Sequence, residues 1–308
     1  MSHLNQRAAY GSALMNLGKS NENIVVLDAD LGSSCMTKEF ETAFPDRYFE
    51  VGIAEANMTS MAAGLALTGK IPFTNSFAVF AAYRAYDQIR QSIAIGNVNV
   101  KIVGSSAGLS DFGDGATHQS VEDLAVMRAL PNMVVLNPAD PNEAYQATLA
   151  AAKYKGPVYL RINRVDYPNI TPVDQKFVIG EPSVMKEGSD IAVFATGYMV
   201  QLALEAAKAL ENRVSVKVVN LHTIKPLCKD KIMEVAAGCK AIVTAEEHSI
   251  VGGLGSAVAE TLRHKPIPME FVGLKDTFGR SAHSYQELLN YFELTSEGIE
   301  KAILKMKG

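Results

Sequence analysis

Two kinds of segment alternate along this chain. Short runs that are apolar on both faces, such as NIVVLDAD (23–30) and NVKIVGSS (99–106), are typical of strands buried in a parallel sheet. Longer segments with apolar residues at a helical period lie between these runs. Buried strands that alternate with amphipathic helices indicate a parallel sheet covered on each side. The pattern therefore predicts an α/β fold built on parallel sheets.

The first predicted domain spans residues 1–165. A short strand and a glycine turn in FEVGIAEANM (49–58) lead into one of its helices. The other predicted strands are NIVVLDAD (23–30), NVKIVGSS (99–106), NMVVLNPAD (132–140) and GPVYLRIN (156–163). The predicted helices are QRAAYGSALMNLG (6–18), EANMTSMAAGLALTG (55–69), AAYRAYDQIRQSIAIG (81–96), VEDLAVMRALP (121–131) and NEAYQATLAAAKYKG (142–156).

Residues 166–187 carry three prolines, no helical period and a mixed run of charges, which is typical of an interdomain linker. A second α/β domain is predicted over residues 188–308. Its predicted strands are DIAVFATG (190–197), VSVKVVN (214–220), KAIVTAEE (240–247) and PMEFVGL (268–274). Its predicted helices are VQLALEAAKALEN (200–212), KDKIMEVAAG (229–238), GGLGSAVAETLRH (252–264), SYQELLNYF (284–292) and SEGIEKAILKMK (296–307).

Composition limits the classes of partner. At 308 residues and 48% hydrophobic content, the chain can give each of two domains its own core. A formal net charge of −4 offers no basic face for a polyanion, so we expect no nucleic-acid partner. No apolar run approaches the roughly 20 residues of a membrane span, and the N-terminus lacks the order of a signal peptide. We therefore expect no membrane association and a cytoplasmic location. Cys35, Cys228 and Cys239 have no CxxC spacing, which argues against a disulfide framework and a zinc site.

Candidate chemistry lies at the predicted strand ends, where ligands gather in open parallel sheets. Asp30 and Ser34 follow the first strand, Glu55 follows the second, and the loop SSAGLSDFGDGATHQ (105–119) follows NVKIV. The GDG at 113–115 in this loop is compatible with a phosphate or metal loop and equally with a simple turn. Glu55 stands among small and apolar neighbours, and a carboxylate buried without a partner costs several kcal/mol. Such an acid calls for a functional explanation.

Three aromatic residues recur at intervals of three in NSFAVFAAY (75–83): Phe77, Phe80 and Tyr83. This spacing predicts that their rings lie on one face of a helix. The pattern alone is equally consistent with a core contact and with a ligand pocket.

Four ordered motifs carry a family likeness. DADL (28–31), VGIAEANM (51–58), FAVFAAY (77–83) and DGATHQSVED (114–123) resemble those of the transketolase-like thiamin-diphosphate enzymes. The first domain resembles the family's pyrimidine-binding domain, and the second, with AIVTAEEH (241–248), resembles its C-terminal domain. The family's diphosphate-binding domain, with its own GDG and a downstream Asn for the metal, has no counterpart in this sequence. The resemblance therefore implies thiamin diphosphate and Mg²⁺ as cofactors, with the metal ligands on a partner chain and none on this one.

The resemblance also implies which residues meet the cofactor. Glu55 matches the glutamate that hydrogen-bonds the ring nitrogen of the aminopyrimidine and favours its imino form. An apolar setting suits this role, because a hydrogen bond to a charge is stronger where water is excluded. Phe80 is implied to stack on the aminopyrimidine, while Phe77 and Tyr83 form walls of the pocket.

A second group of residues is implied to bind substrate. His118 matches a histidine that faces the reacting oxygens, and Asp114 an acid that contacts a substrate hydroxyl or braces its loop. Arg164 in INRVDYP matches an arginine that binds a sugar phosphate, with Ser34 as a lesser phosphate contact. The family's sugar-phosphate enzymes carry a histidine or an aspartate near the position of Ser105, so the preference for acceptor stays open.

The likeness thus implies the C-terminal subunit of a two-chain transketolase, which transfers a two-carbon ketol unit between sugar phosphates. We expect activity only with an N-terminal subunit that carries the diphosphate and Mg²⁺ site, in an assembly of two copies of each chain. Two related enzymes remain as alternatives: the β subunit of a 2-oxo acid dehydrogenase, and an enzyme similar to deoxyxylulose-phosphate synthase. A non-catalytic binding module of the same fold is a further alternative, against which the retained Glu55, Phe77, Phe80 and His118 argue.

Overall fold

The structure is a computed structural model that describes residues 5–265 and 267–307. In these ranges, strands and helices alternate and build two sheets with helices packed on them. The strands are β1 (Ile24–Asp28), β2 (Tyr48–Glu50), β3 (Ile71–Phe77), β4 (Lys101–Ser105), β5 (Val134–Leu136), β6 (Val158–Arg161), β7 (Ser183–Lys186), β8 (Ile191–Ala195), β9 (Val216–Asn220), β10 (Thr223–Lys225), β11 (Ala241–Ser249) and β12 (Met269–Leu274). The predicted α/β fold is confirmed.

Apart from α2, which lies outside every predicted helix, the α-helices fall within or close to the predicted periodic segments. They are α1 (Gln6–Ser20), α2 (Lys38–Ala43), α3 (Glu55–Leu67), α4 (Tyr86–Gln88), α5 (Asp123–Ala129), α6 (Pro141–Lys153), α7 (Met199–Ala209), α8 (Lys229–Ala236), α9 (Leu254–Leu262), α10 (Tyr285–Tyr291) and α11 (Ser296–Lys307). Two π-helical turns, Phe80–Arg84 and Ile89–Ala94, flank α4, so the predicted helix at 81–96 is irregular. π-Helical turns are frequent at functional sites.

The larger sheet has the strand order β10-β5-β6-β4-β3-β1-β2. Its first six strands in sequence, β1 to β6, all pair in parallel, so their carboxyl ends meet at one edge of the sheet. β10 pairs with β5 in antiparallel fashion at the opposite side from β2. Because β10 comes from the second half of the chain, this strand joins the two halves through backbone hydrogen bonds.

The smaller sheet has the order β12-β11-β8-β9-β7, and it is parallel except for β7 at one edge. The strands predicted in this half of the chain correspond to β8, β9, β11 and β12. β7 lies inside the segment predicted as a linker and pairs with β9. The exact domain boundaries stay a prediction.

β3 is a strand that the sequence patterns did not reveal. It lies between β4 and β1 in the larger sheet, and its run IPFTNSF holds Thr74, Asn75 and Ser76 in succession, all of them buried. Asn75 satisfies its amide internally, because Nδ2 donates to Leu27 O and Phe73 O at 3.0 Å each. The Tyr10 hydroxyl donates to Asn75 Oδ1 at 2.5 Å. The Asn75 amide thus has partners at both its nitrogen and its oxygen, whereas the buried Ser76 Oγ has none among the described residues.

The two halves also meet through buried side chains. Asn220 Nδ2, at the end of β9, donates to both carboxylate oxygens of Glu143 on α6, at 2.9 and 3.0 Å. Burial raises the pKa of Glu143 to about 7. Asn137 Nδ2 donates to Thr196 Oγ1 at 3.1 Å. Along the described part of the chain, no helix has the length and apolar character needed to cross a membrane.

Candidate active site

The carboxyl edge of the larger sheet gathers the residues singled out from the sequence. Ser34 follows β1, Glu55 follows β2, Phe77 ends β3, and Arg164 follows β6. The loop with Asp114 and His118 follows β4, which lies between β6 and β3 in the sheet. Segments far apart in sequence meet at one edge because their strands run in the same direction within one sheet.

Glu55 is the first residue of α3 and is only 1% exposed. The turn before it needs Gly52, which has φ of 69°, a conformation that L side chains rarely adopt. Oε2 of Glu55 has no hydrogen-bond donor among the described residues, and its nearest cation is Arg84 Nη1 at 3.7 Å. A buried carboxylate oxygen without a donor destabilises the fold, which calls for a functional explanation. Because no group of the described chain donates to it, this oxygen can accept a hydrogen bond from a ligand.

Three rings form the next part of the site. The rings of Phe77 and Phe80 are nearly parallel, with 6.2 Å between centroids and an angle of 18°. The His118 ring meets Phe80 edge-on at 5.3 Å and Phe77 at 6.4 Å. The Arg84 guanidinium lies 5.0 Å from the Phe80 centroid and links the rings to Glu55. Arg84 lies one residue beyond the FAVFAAY motif and was not predicted from the sequence.

The prediction that Phe77, Phe80 and Tyr83 share one helix face is wrong. Phe77 belongs to β3, and only Phe80 and Tyr83 lie in the π-helical turn that follows. The Tyr83 hydroxyl bonds Ser120 Oγ at 3.1 Å and accepts the Glu122 N–H at 3.3 Å. Burial raises the pKa of Tyr83. Tyr83 therefore anchors the loop after β4, while Phe77 and Phe80 come together from a strand end and a helical turn.

A charged cluster lies at the other end of the same loop. Arg164 Nη1 donates to Asp111 Oδ1 at 2.8 Å, and the Arg164 side chain is 33% exposed. The exposed Asp114 is a further charged neighbour of Asp111. Burial raises the pKa of Asp111, and the neighbouring Arg164 opposes this shift. The structure thus places Asp114 and Arg164 together, with Asp111 between them.

Arg7 on α1 belongs to this cluster and was missed in the sequence. Its Nη1 donates to Ser34 O at 3.0 Å, and its Nη2 donates to Arg164 O at 3.3 Å. Burial and the nearby Arg164 lower the pKa of Arg7. Its Nε is buried and has no acceptor among the described residues. Two guanidinium groups with a free donor are suited to an anion that accepts several hydrogen bonds. A lone arginine in the first turn of a helix gives no such signal in sequence.

The site therefore has two parts joined by one loop. A buried carboxylate and stacked rings suit a planar heteroaromatic ligand, and a pair of guanidinium groups suits a phosphate or carboxylate. His118 at one end of the loop and Asp114 nearer the guanidinium groups can contact polar groups of a ligand between the two parts. This arrangement is typical of an enzyme that holds an aromatic cofactor and a charged substrate side by side.

Family models support this description. The sequence matches the model of the transketolase pyrimidine binding domain over residues 2–169 and that of the transketolase C-terminal domain over residues 180–299. The chain belongs to the transketolase family, and the resemblance seen in its motifs is confirmed.

Individual relatives match over nearly their whole length. The chain is 44% identical over 304 residues to a "Putative transketolase C-terminal section" of Methanocaldococcus jannaschii, which covers 97% of this chain and 95% of that protein. It is 40% identical to "6-deoxy-6-sulfo-D-fructose transketolase subunit SqwH" of Clostridium sp., covering 96% and 92%. A solved structure described as "Split gene transketolase, inactive beta4 tetramer" superposes with a TM-score of 0.90 at 45% identity, over 99% of this chain and 98% of that chain.

Proposed function

We propose that this chain is the C-terminal subunit of a two-chain transketolase, which transfers a two-carbon ketol unit from a ketose to an aldose. The observation that carries the proposal is the buried Glu55, whose Oε2 has no donor among the described residues. Arg84 links this carboxylate to the near-parallel rings of Phe77 and Phe80. The family to which the chain belongs, and the words "section" and "subunit" in the names of its relatives, support the two-chain reading.

The residues of this site fit thiamin diphosphate. Glu55 Oε2 can accept a hydrogen bond from a protonated ring nitrogen, and the rings of Phe77 and Phe80 offer apolar faces to an aminopyrimidine. When bound, thiamin diphosphate supplies a thiazolium carbon that takes up the transferred unit once its proton is removed. We place the diphosphate and Mg²⁺ sites on a partner subunit.

Each residue of this chain has a distinct task in the proposal. Glu55 holds a proton at the pyrimidine ring nitrogen, because a carboxylate in an apolar setting favours the protonated partner. His118 Nδ1 bonds Thr117 Oγ1 at 2.9 Å, so Nε2 can hydrogen-bond a substrate oxygen while its charge changes. Phe77 and Phe80 exclude water from this face of the site.

The charged cluster sets the substrate class. Arg7 and Arg164 are proposed to bind the phosphate of a sugar phosphate near Ser34, and Asp114 is proposed to accept a hydrogen bond from a sugar hydroxyl. One relative is named for 6-deoxy-6-sulfo-D-fructose, whose sulfonate is also an anion with three oxygens. Anionic sugars are therefore the proposed substrates, and a cytoplasmic location remains part of the proposal.

The reaction type can be tested by product analysis. This chain is co-purified with a diphosphate-binding transketolase subunit and supplied with thiamin diphosphate, Mg²⁺, a ketose phosphate and an aldose phosphate. We expect the aldose to gain two carbons and the ketose to lose two. Release of CO₂ from a 2-oxo acid would instead support the dehydrogenase β subunit, and turnover of neither substrate pair would contradict the proposal.

Arg164→Ala is expected to raise the KM for phosphorylated sugars by about 10-fold or more, because a charge-assisted hydrogen bond contributes about 1.5–3 kcal/mol. The KM for unphosphorylated sugars should change much less, since they lose no ionic partner. Steady-state kinetics with both classes of substrate measures the difference.

The control for this variant is Arg128→Ala. Arg128 is also a partly buried arginine, and its Nη2 lies 2.7 Å from Glu260 Oε2. It lies outside the charged cluster and should leave both KM values unchanged. Equal increases for phosphorylated and unphosphorylated sugars in Arg164→Ala would make Arg164 a structural residue.

A further inference from the structure

The loop that carries Asp111, Asp114 and His118 is closed at its base. Gly108 N–H donates to Ser120 O at 3.0 Å, and Ser120 N–H donates to Gly108 O at 3.1 Å. The two ends of the segment 109–119 are therefore held side by side by this pair of hydrogen bonds. The positions of its side chains in the candidate site depend on how this base is held.

One side of the base is held from the second half of the chain. Glu247 on β11 is 3% exposed, and its Oε1 accepts the Leu109 N–H at 2.6 Å. Gly108 has φ of 65°, and a Cβ at this position would overlap the Glu247 carboxylate. A glycine is thus required for the close approach of Glu247 to the loop base.

The other side of the base is held by Arg161, which is fully buried at the end of β6. Its Nη2 donates to Ser120 O at 3.2 Å and to Glu247 O at 3.0 Å, and its Nε donates to Asp123 Oδ2 at 2.9 Å. Glu247 therefore contacts one side of the base with its carboxylate and reaches the other through its carbonyl and Arg161. A buried, charge-assisted network of this kind holds a single geometry.

The remaining contacts of Glu247 also restrain it. Oε2 accepts Asn163 Nδ2 at 3.3 Å, and the carboxylate shares a hydrogen bond with the Tyr285 hydroxyl. Burial raises the pKa of Glu247, while Arg161 opposes this shift. Both oxygens accept hydrogen bonds from within the protein, and the side chain is only 3% exposed, so the described contacts of Glu247 are structural.

We infer that Glu247 is a positioning residue: it fixes the base of the loop 109–119 and thereby the place of His118 beside Phe77 and Phe80. For its consequence in turnover, this inference rests on the proposed function. The contact from the second domain to the loop does not depend on that proposal. Glu247→Ala leaves the buried Leu109 N–H without an acceptor, and Glu247→Gln places an amide N–H₂ against a neighbouring donor.

The first test observes the loop without any turnover. The chain is labelled with ¹³C-histidine, and the ring resonance of His118 is assigned with His118→Gln. We expect Glu247→Ala to shift the His118 resonance beyond its linewidth. If Glu247→Ala does not fold, the isosteric Glu247→Gln decides the question.

Glu246→Gln is the matched control. Glu246 precedes Glu247 on β11 and is equally buried, but its carboxylate accepts the Leu254 and Gly255 N–H groups at 2.6 and 2.9 Å within its own domain. This control should lower thermal stability and leave the His118 resonance in place. An unmoved His118 resonance in both Glu247 variants would overturn the inference.

The second test uses the assembled enzyme. Glu247→Gln is expected to lower kcat about 10-fold, since a misplacement of about 1 Å can cost up to about 100-fold, with no change in the KM for thiamin diphosphate. The double variant His118→Ala/Glu247→Gln should be no slower than His118→Ala, because Glu247 acts through His118. Independent, multiplying effects would overturn the inference. A wild-type complex without ketol transfer would contradict the proposed function alone, and the His118 resonance would still decide the role of Glu247.

Discussion

Glu55→Gln is expected to lower the turnover of the assembled enzyme by about 100-fold or more. The substitution replaces a negatively charged hydrogen-bond acceptor with a neutral one. A neutral amide stabilises a protonated ring nitrogen less than a carboxylate does. The Glu55 carboxylate is 1% exposed, so water does not replace it in the variant. Proton exchange at the thiazolium carbon, followed by NMR with the partner subunit present, should slow in parallel with turnover.

The same substitution should leave thermal stability unchanged or raise it. Glu55 Oε2 has no hydrogen-bond donor among the described residues, and Arg84 Nη1 lies 3.7 Å away. Removal of a buried charge with so little compensation removes a desolvation cost. A residue that impairs stability and supports activity is typical of a functional site.

Glu143→Gln is the control for a buried carboxylate of the same domain. Glu143 is 3% exposed, but its oxygens accept hydrogen bonds from Ala139 N–H and Asn220 Nδ2. We expect Glu143→Gln to lower the melting temperature and leave thiazolium exchange intact. An unchanged exchange rate in Glu55→Gln would remove Glu55 from the mechanism.

The second large effect is dependence on the partner. This chain alone is expected to show no ketol transfer and to gain little thermal stability from thiamin diphosphate plus Mg²⁺. In the proposal, this chain contacts only the pyrimidine ring, whereas the diphosphate and metal, which carry most of the charge, bind the partner. The stabilisation of a fold by a ligand increases with the affinity of the ligand. A chain that holds only half of the cofactor site should therefore show only a small rise of the melting temperature. The solved structure of a similar chain is described as an inactive β4 tetramer, which supports this expectation.

Mixing with the diphosphate-binding subunit should restore both properties. We expect a complex of two copies of each chain, with an obligate interface of about 2,000 Å² or more. Ile53, Met61 and Leu67 lie on or beside α3, which begins with Glu55, and all three are exposed apolar side chains. Exposed apolar residues beside a site suit a subunit contact.

The partner dependence is measured in three ways. Analytical ultracentrifugation gives the stoichiometry, thermal melts with and without cofactor give the stabilisation, and a coupled assay gives ketol transfer. Strong Mg²⁺-dependent cofactor binding and full activity in the purified single chain would contradict the split-subunit proposal.

Much of the fold follows from local sequence. α7 and α11 have apolar residues at a helical period, β8 is a short apolar run and β11 begins with one, so each element shows its own signature. The order of these elements, strand then helix, favours sheets in which most strands are parallel. The position of Glu55, Ser34 and the loop with His118 at strand ends also follows from this order.

Elements whose stability comes from distant partners were missed. β7 and β10 are antiparallel edge strands of 4 and 3 residues, and β3 is polar at Thr74, Asn75 and Ser76. Their pairing partners lie far along the chain, and so does Leu27 O, one of the two acceptors of the Asn75 amide. Local sequence patterns therefore cannot predict these elements.

The sequence by itself determined the α/β class, the two domains in outline, the family and most of the residues proposed to act. Only the tertiary structure decided that Phe77 and Phe80 meet from a strand and a helical turn, that Arg7 joins Arg164, and that Glu247 holds the His118 loop. The physical reason is the distance along the chain over which each kind of interaction acts. Periodicity and motifs reflect interactions within a few residues, whereas these contacts join groups many residues apart that only the packed sheets bring within hydrogen-bond distance.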